Sequence, residues 1–316
     1  MKDKLDVLDI LNEFPLQIKE ALKIARKAKI KISGKINNAV VCGVGVAGNA
    51  ADICSALTNK IPIFSCKDYK VPSFVGKNSL VIVLSYSGLS DETISAYKDA
   101  KRKKAKIVLV TGKKDLAKKE KNSILIPEEL IPRFSFAYLV MSAVISLSNA
   151  KIISNPNIGD INNVLSQKDC SRQGFLLSRR LKGKFPLVYS APEHYALAYR
   201  IKASINEKSK HIAFSNIITD VAYNEMISYK RFPRRFEIIL IRDVKDSKDI
   251  KKHMDAFKKT LKNKDISELN LKGKTLLAKL LYGAYVGDYI AYYLALMNKQ
   301  DPFDIKIIKE FKRHLK

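Results

Sequence analysis

The chain has 316 residues, of which 47% are hydrophobic, and this is enough for about two domains with a sizeable core. Its 58 Lys and Arg residues stand against 31 Asp and Glu residues, a formal net charge of +27 that attracts polyanions such as nucleic acid. The basic residues are spread over the whole chain, with no basic tail and no ladder of Arg and aromatic residues. This distribution favours solvated surface lysines over a nucleic-acid site.

Cysteine and histidine usage limits the chemistry further. The four cysteines form no CxxC pair and no cluster with the four histidines, so we expect no zinc site, no other metal and no cofactor. We expect the polar start of the chain not to be a secretory leader. The longest apolar stretch, about 134–147, is shorter than the roughly 20 residues that cross a bilayer. A cytoplasmic protein with reduced thiols is predicted.

The first half alternates short apolar runs with polar segments. The predicted strands are 39–43, 80–84, 107–110 and 124–126, and the predicted helices are 89–104, 113–122 and the strongly apolar 134–148. The strand runs are rich in β-branched residues and show no alternation, as is typical of parallel strands covered on both faces. This pattern indicates a doubly wound α/β domain.

The same rhythm restarts after a segment rich in Asn, Pro and Gly at 155–160, which is typical of a linker. The predicted strands are 185–189, 212–214 and 236–241, and the predicted helices are 194–208, 248–262, 275–298 and 305–315. We therefore predict an α/β protein of two doubly wound domains, residues 1–151 and 152–316, each with a parallel sheet flanked by helices.

A glycine-rich turn follows the first predicted strand. Residues Gly43 to Gly48 read Gly-Val-Gly-Val-Ala-Gly and open a helix. Glycine lets the main chain approach a ligand, and a helix N-terminus favours an anion. The same spacing also fits an ordinary tight turn between a strand and a helix, so both interpretations stay open here.

A cluster of hydroxyl groups follows the second strand, 80–84. Ser85, Ser87, Ser90 and Thr93 lie around the start of the next helix. A helix cap needs one hydroxyl, whereas several hydroxyls with free main-chain N–H groups suit a phosphate monoester. Open α/β sheets bind ligands at the carboxyl ends of their strands. We predict a phosphate site here, together with the main chain at Gly45.

These motifs resemble those of the bifunctional phosphoglucose/phosphomannose isomerases, which are built from sugar isomerase (SIS) domains. The segment Ser85-Tyr86-Ser87-Gly88 with Glu92-Thr93 resembles the SIS phosphate loop. The resemblance covers almost the whole chain, because further motifs occur in the family's order and spacing: Pro132-Arg133, residues 198–202 and 206–210, Asn224-Glu225, residues 287–289, Asp301-Pro302 and Phe311-Lys312.

The resemblance implies an activity and a role for each site residue. Glu207 is implied as the base that carries a proton between C2 and C1 through a cis-enediol, Arg133 as the group that steadies the enediolate, and Lys312 as a group near the ring oxygen. Without the resemblance, all three are interpreted as ordinary helix-end or surface charges. The implied protein is a metal-free homodimer of glycolysis and gluconeogenesis that interconverts glucose 6-phosphate and mannose 6-phosphate with fructose 6-phosphate.

The chain also departs from the family pattern. Gly45-Val46-Ala47-Gly48 stands where the family has Gly-Gly-Ser-Gly, so one phosphate-binding hydroxyl is missing, and Leu89 and Phe303 replace the usual Asn and Thr. Tyr223 replaces the His that the family supplies from a partner subunit to open the sugar ring. Tyrosine, with an ordinary pKa of about 10 against about 6.5 for histidine, is a poor base near neutrality.

Two hypotheses follow, and they belong to different classes. The departures favour a degenerate SIS protein that binds sugar phosphates with little or no turnover, such as a regulator. The retained Glu207, Arg133, Lys312 and hydroxyl cluster favour the isomerase, which is the first hypothesis.

Overall fold

The computed structural model describes residues 7–58, 60–231, 235–262 and 265–315. The elements up to residue 165 are α1 (Val7–Asn12), α2 (Phe14–Lys27), β1 (Asn38–Cys42), α3 (Val46–Ala56), β2 (Ile63–Cys66), β3 (Ser79–Leu84), α4 (Asp91–Arg102), β4 (Lys106–Thr111), α5 (Lys114–Ala117), β5 (Ser123–Leu125), a 3-10 helix (Pro132–Phe134), α6 (Phe136–Asn149) and α7 (Ile158–Val164).

The elements after residue 165 are α8 (Gln167–Leu181), β6 (Phe185–Ser190), a 3-10 helix (Pro192–His194), α9 (Tyr195–Ser209), β7 (Phe214–Ile217), α10 (Ile218–Asn224), a 3-10 helix (Met226–Arg231), β8 (Phe236–Arg242), α11 (Lys248–Thr260), β9 (Ile266–Asn270), α12 (Leu276–Met297) and α13 (Lys306–His314).

Five strands form the first sheet, in the order β2-β1-β3-β4-β5, and every neighbouring pair is parallel. β3 lies in the middle and is buried along its whole length, which explains why its sequence is apolar without alternation. On one face Val81 and Val83 pack against Ala96 and Tyr97 of α4. α6 also contacts β3 and β4, and it packs against α2 and α3.

The second sheet has the order β7-β6-β8-β9 and is also parallel throughout. Tyr189 and Leu240 from its two central strands share a core cluster with Met254 and Phe257 of α11. Two parallel sheets flanked by helices confirm the predicted α/β fold class.

Several predicted boundaries differ from the structure. The strand predicted at 212–214 is β7, Phe214–Ile217, and the helix predicted at 113–122 contains only the four residues of α5. β2 and β9 were not predicted. Both strands end their sheets and are only partly buried, so they lack the continuous apolar run that identifies β3.

The described residues divide into two compact units. The first unit comprises 12–165 and 273–281, and the second comprises 7–11, 166–272 and 282–315. The predicted boundary between residues 151 and 152 stays a prediction about domain organisation.

A carboxylate holds the segment that precedes α12. Both Asp160 oxygens accept from the Lys274 main-chain N–H at 3.0 Å, and one also accepts from the main-chain N–H and the hydroxyl of Thr275, each at 2.7 Å. Burial alone raises the pKa of Asp160, but these donors outweigh burial and hold the pKa below its ordinary value. Asp160 therefore contributes stability above the ordinary Asp pKa, and this contribution is lost as the pH falls through the folded-state pKa.

We expect Asp160→Ala to lower the free energy of unfolding by about 1–3 kcal/mol at pH 7, because buried donors lose a charged acceptor. Asp169→Ala is the matched control, since its carboxylate is 55% exposed and lies 3.6 Å from Lys272; it should change stability by about 0.5 kcal/mol or less. Urea unfolding measures both. The loss of unfolding free energy in Asp160→Ala should become smaller as the pH is lowered. Equal losses in the two variants would contradict the assignment.

Candidate active site

The carboxyl ends of β1 and β3 lie side by side at the point where the strand order of the first sheet reverses, which we call its strand reversal. β1 connects to β2 on one side of it, whereas β3 connects to β4 on the other side. Connections that leave in opposite directions open a crevice between the two strand ends, and doubly wound sheets bind ligands in such a crevice. The glycine turn follows β1 and the hydroxyl cluster follows β3, so the fold brings the two predicted motifs to adjacent strand ends.

The glycine turn exposes its main chain at Gly45. This residue precedes α3 with φ of +58°, a conformation that an L side chain rarely adopts, and a Cβ placed on it would meet nothing within 4 Å. The turn is fixed on both sides, because the Gly43 N–H donates to the Cys66 carbonyl and the Asn49 N–H donates to the Gly45 carbonyl, each at 3.0 Å. A ligand can therefore approach the main chain at Gly45 closely.

Two hydroxyl groups beyond β3 are buried without a partner. Ser85 and Thr93 are each 2% exposed, and within the described residues neither side-chain oxygen makes a hydrogen bond. An unpaired buried hydroxyl is costly and uncommon, and it needs an explanation such as a ligand. The two groups lie on either side of the N-terminus of α4, where the helix dipole favours negative charge.

The other two predicted hydroxyls are half-buried in the same loop. The Ser87 oxygen accepts from the Leu89 main-chain N–H at 3.3 Å, which helps to shape the turn at Gly88. Ser90 precedes α4, but its side chain makes no capping hydrogen bond. The Ser90 hydroxyl therefore does not cap the helix, which is the structural role expected of a serine at this position. The loop thus has several hydroxyl groups that could donate to an anion.

Arg133 lies in the same unit and is buried, at 7% exposure. It belongs to the 3-10 helix that contacts α3 and leads into α6. The interpretation of Arg133 as an ordinary solvated residue is therefore wrong. Burial is uncommon for arginine, because a guanidinium leaves water only at a cost. The role of Arg133 at the site stays a prediction.

The remaining predicted residues belong to the second unit and lie on three different helices. Glu207 is half-buried in the last turn of α9, Tyr223 is 83% exposed on α10, and Lys312 is exposed on α13. Their roles stay predictions.

The strand reversal of the second sheet, between β6 and β8, is closed by protein groups. His194 has no exposed surface; its Nε2 lies 3.3 Å from an Asp243 oxygen and its Nδ1 lies 3.8 Å from an Asp246 oxygen. His194 and the two carboxylates therefore fill this position, although neither ring nitrogen of His194 makes a hydrogen bond within the described residues.

Two acidic residues without a predicted role, Glu225 and Asp288, are central to polar clusters. The Glu225 carboxylate accepts from Tyr189 and from the Asn216 amide, the latter at 2.6 Å. Asp288 is buried in the apolar helix α12 and binds three residues of α9. A lone Asp in an apolar helix was the available signal, because a buried carboxylate requires partners.

The part of the chain that the structure describes contains no group of three or more His, Cys, Asp or Glu side chains that could hold a metal ion. None of the helices described is both long enough and apolar enough to cross a membrane.

Comparison with known proteins agrees with this architecture. The family model of the bacterial phospho-glucose isomerase C-terminal SIS domain matches residues 173–315, and the SIS domain model matches residues 67–149. The bifunctional phosphoglucose/phosphomannose isomerase of Thermoplasma volcanium is 31% identical over 306 residues, which cover 95% of this chain and 97% of the relative. The enzyme of the same name from Caldicellulosiruptor bescii is 30% identical, and the match covers 95% of this chain and 96% of that relative.

Among solved structures, the C-terminal domain of glucosamine-fructose-6-phosphate aminotransferase from Francisella tularensis matches with a TM-score of 0.74. The match covers 95% of this chain and 98% of that domain. At 12% sequence identity it shows a likeness of fold alone. Since the two isomerases match at 30% identity or more over nearly their whole length, the chain belongs to the bifunctional phosphoglucose/phosphomannose isomerase family.

Proposed function

We propose that this protein is an aldose–ketose isomerase that interconverts glucose 6-phosphate and mannose 6-phosphate with fructose 6-phosphate. The observation that carries the proposal is the pair of buried, unpaired hydroxyls of Ser85 and Thr93 at the strand reversal of the first sheet. A phosphate monoester supplies acceptor oxygens for both, and its charge suits the N-terminus of α4. The names of the relatives support a sugar phosphate as the substrate.

The proposed chemistry is a proton transfer between neighbouring carbons. Ser85, Ser87, Ser90, Thr93 and the main chain at Gly45 hold the phosphate. Binding of the phosphate fixes the position of C1 and C2 relative to the base, and this orientation lowers the entropic cost of proton transfer.

The roles at the reacting carbons are carried over from the family resemblance. Glu207 takes the proton from C2 and returns it to C1 through a cis-enediol, Arg133 stabilises the charge of the enediolate, and Lys312 acts near the ring oxygen. A carboxylate is a competent general base for this step and needs no metal ion.

We further propose a cytoplasmic homodimer that acts in glycolysis and gluconeogenesis. Tyr223 stands at the position of the partner-supplied His, and its 83% exposure in the single chain supports a residue that is presented to a second subunit.

A coupled assay with fructose 6-phosphate tests the proposal. The purified protein should form glucose 6-phosphate and mannose 6-phosphate, and turnover should survive EDTA because the proposed base is a carboxylate. Binding of fructose 6-phosphate without turnover would favour the regulator hypothesis. Loss of activity with EDTA and its recovery with zinc would overturn the metal-free mechanism.

The phosphate site predicts a loss of affinity without a loss of stability. Ser85→Ala and Thr93→Val remove hydroxyls that have no hydrogen-bond partner among the described residues, so the free energy of unfolding should stay unchanged or rise. Each should weaken fructose 6-phosphate binding about tenfold or more, because a hydrogen bond to a charged group contributes about 1.5–3 kcal/mol. Titration calorimetry and thermal unfolding measure the two effects.

Ser142→Ala is the matched control for these variants. Its hydroxyl is also buried and without a partner within the described residues, but it lies in the middle of α6. Its sugar-phosphate affinity should equal that of the wild type. Unchanged affinity in Ser85→Ala and Thr93→Val would remove these residues from the site.

Glu207 and Tyr223 separate proton transfer from ring opening. Because sugar phosphates also open spontaneously, loss of the family His should leave a weak isomerase. Glu207→Gln should abolish turnover, whereas Tyr223→His should raise the steady-state rate, since a general acid–base group contributes about 10²–10⁴-fold. Ile227→His is the control, because Ile227 is also exposed, at 77%, and lies four residues further along the chain. Full activity in Glu207→Gln would refute the assignment of the base.

A further inference from the structure

Two cysteines of the first sheet face each other across neighbouring strands. Cys42 ends β1 and Cys66 ends β2, and the two residues are register partners in the parallel ladder. Register partners project their side chains from the same face of a sheet, and both residues belong to the core cluster that includes Ala96 and Tyr97 of α4. Both are free thiols. We call them the Cys42–Cys66 pair.

The spacing of the two strands suits a disulfide without being ideal for one. Neighbouring strands lie about 4.8 Å apart, which is inside the range of roughly 4.4–6.8 Å that separates the Cα atoms of a disulfide. The Cβ atoms of register partners keep about the strand spacing, whereas those of a disulfide are about 3.8 Å apart. Closing the bond therefore has to draw the ends of β1 and β2 together by about 1 Å.

The two sulfurs differ in reactivity. The Cys42 thiol hydrogen-bonds the Cys66 sulfur and lowers the pKa of Cys66 to about 6, although burial and the nearby carboxylates of Asp68 and Asp99 act in the opposite direction. The same contact raises the pKa of Cys42, so the pair shares one thiolate and Cys66 carries it. When protonated, Cys66 also donates to the Lys70 main-chain carbonyl at 3.4 Å, a weak bond because a thiol is a weak donor.

Exposure differs in the same sense. Cys66 is 6% exposed, whereas Cys42 has no exposed surface. A thiolate with a path to solvent and a second thiol beside it is the arrangement typical of cysteines that are oxidised reversibly. A small oxidant therefore reaches Cys66 first, and Cys42 is the residue in place to react next.

The pair lies directly below the glycine turn. Cys42 precedes Gly43, whose N–H donates to the Cys66 carbonyl at 3.0 Å. The turn is tightly packed, since a Cβ on Gly43 would lie 2.7 Å from the Ala47 side chain. A turn without free space cannot absorb a shift of β1, so a displacement at Cys42 is transmitted towards Gly45.

We propose that the Cys42–Cys66 pair is a redox site that reacts with peroxides, closes to a disulfide and thereby weakens ligand binding at the glycine turn. The effect on binding rests on the proposed function, whereas formation of the disulfide does not. A disulfide that has to draw two strands together is strained and therefore readily reduced again, as suits a reversible modification.

The reaction takes place in two balanced steps. The Cys66 thiolate attacks one oxygen of hydrogen peroxide, the O–O bond breaks, and the departing hydroxide takes up the proton that the Cys66 thiol released. The Cys42 sulfur then attacks the sulfenic acid at Cys66, the S–S bond forms, and the hydroxyl group leaves as water with the Cys42 proton. Two thiols and one peroxide give one disulfide and two molecules of water, with the sulfurs oxidised and the peroxide reduced.

Peptide mass spectrometry after brief treatment of the folded protein with hydrogen peroxide tests the disulfide. A peptide pair linked through Cys42 and Cys66 should appear and should vanish with dithiothreitol. Cys54 in α3 and Cys170 in α8 are internal controls, because burial raises the pKa of each to about 12 and they should stay thiols. Absence of the linked peptide, or equal oxidation of all four cysteines, overturns the proposal.

Two measurements test the coupling to the glycine turn. The amide NMR signals of Gly43 and Gly45 should shift on oxidation, whether or not a ligand binds. In titration calorimetry the oxidised protein should bind fructose 6-phosphate about tenfold more weakly, the effect of losing one hydrogen bond to a charged group. Cys42→Ala should lose both responses to peroxide, and Cys54→Ala, which removes an equally buried thiol of the same unit, should keep them.

Cys66→Ala provides the same test should Cys42→Ala not fold. A linked peptide with unchanged amide signals and unchanged affinity would overturn the coupling to the glycine turn. Equal responses of Cys42→Ala and Cys54→Ala to peroxide would overturn the assignment to this pair. Absence of fructose 6-phosphate binding in the reduced protein, with the linked peptide and the amide shifts present, would instead overturn the proposed function alone.

Discussion

Desolvation at the end of β3 is the constraint on which the candidate site depends. β3 is covered on both faces and carries Ser85 at its carboxyl end, so the hydroxyl leaves water together with the strand. Thr93 becomes equally buried in the first turn of α4. A buried hydroxyl without a partner is unfavourable, and here the two groups coincide with a helix N-terminus and with the open main chain at Gly45. These three features carry the proposed phosphate site.

The second unit uses charge in a different way. Its strand reversal is closed by His194 between two carboxylates, and its main buried charges are collected around Asp288. A buried carboxylate with three donors is costly to assemble but hard to replace, because removing Asp288 takes the shared acceptor from two buried basic side chains.

The sequence predicts the fold well where one local signal decides the structure. Continuous β-branched runs identify the central strands β1, β3, β4 and β8, because only strands buried on both faces have such runs. The edge strands β2 and β9 give no such signal, since each has exposed or half-exposed residues and is held by its neighbour in the sheet. The hydroxyl cluster was predictable because Ser85 and Thr93 are close in sequence and follow a recognisable strand.

The other parts of the candidate site depend on contacts that a local pattern does not contain. Asp288 meets its partners across 80 to 88 residues of sequence. Its contacts depend on the packing of α12 against α9. Arg133 has no neighbouring signal that distinguishes a buried guanidinium from a solvated one, and Glu207 was identified through the family resemblance rather than through its own spacing.

The central claim is that a base of the protein moves a proton between C2 and C1 through an enediol. The most direct test is isomerisation of fructose 6-phosphate in D₂O, with the products followed by NMR. A carboxylate that holds the proton between the two steps exchanges it with solvent, so the account predicts deuterium at C2 of the aldose phosphates and at C1 of the recovered fructose 6-phosphate. Turnover that leaves both positions free of deuterium even after many catalytic cycles would contradict the account.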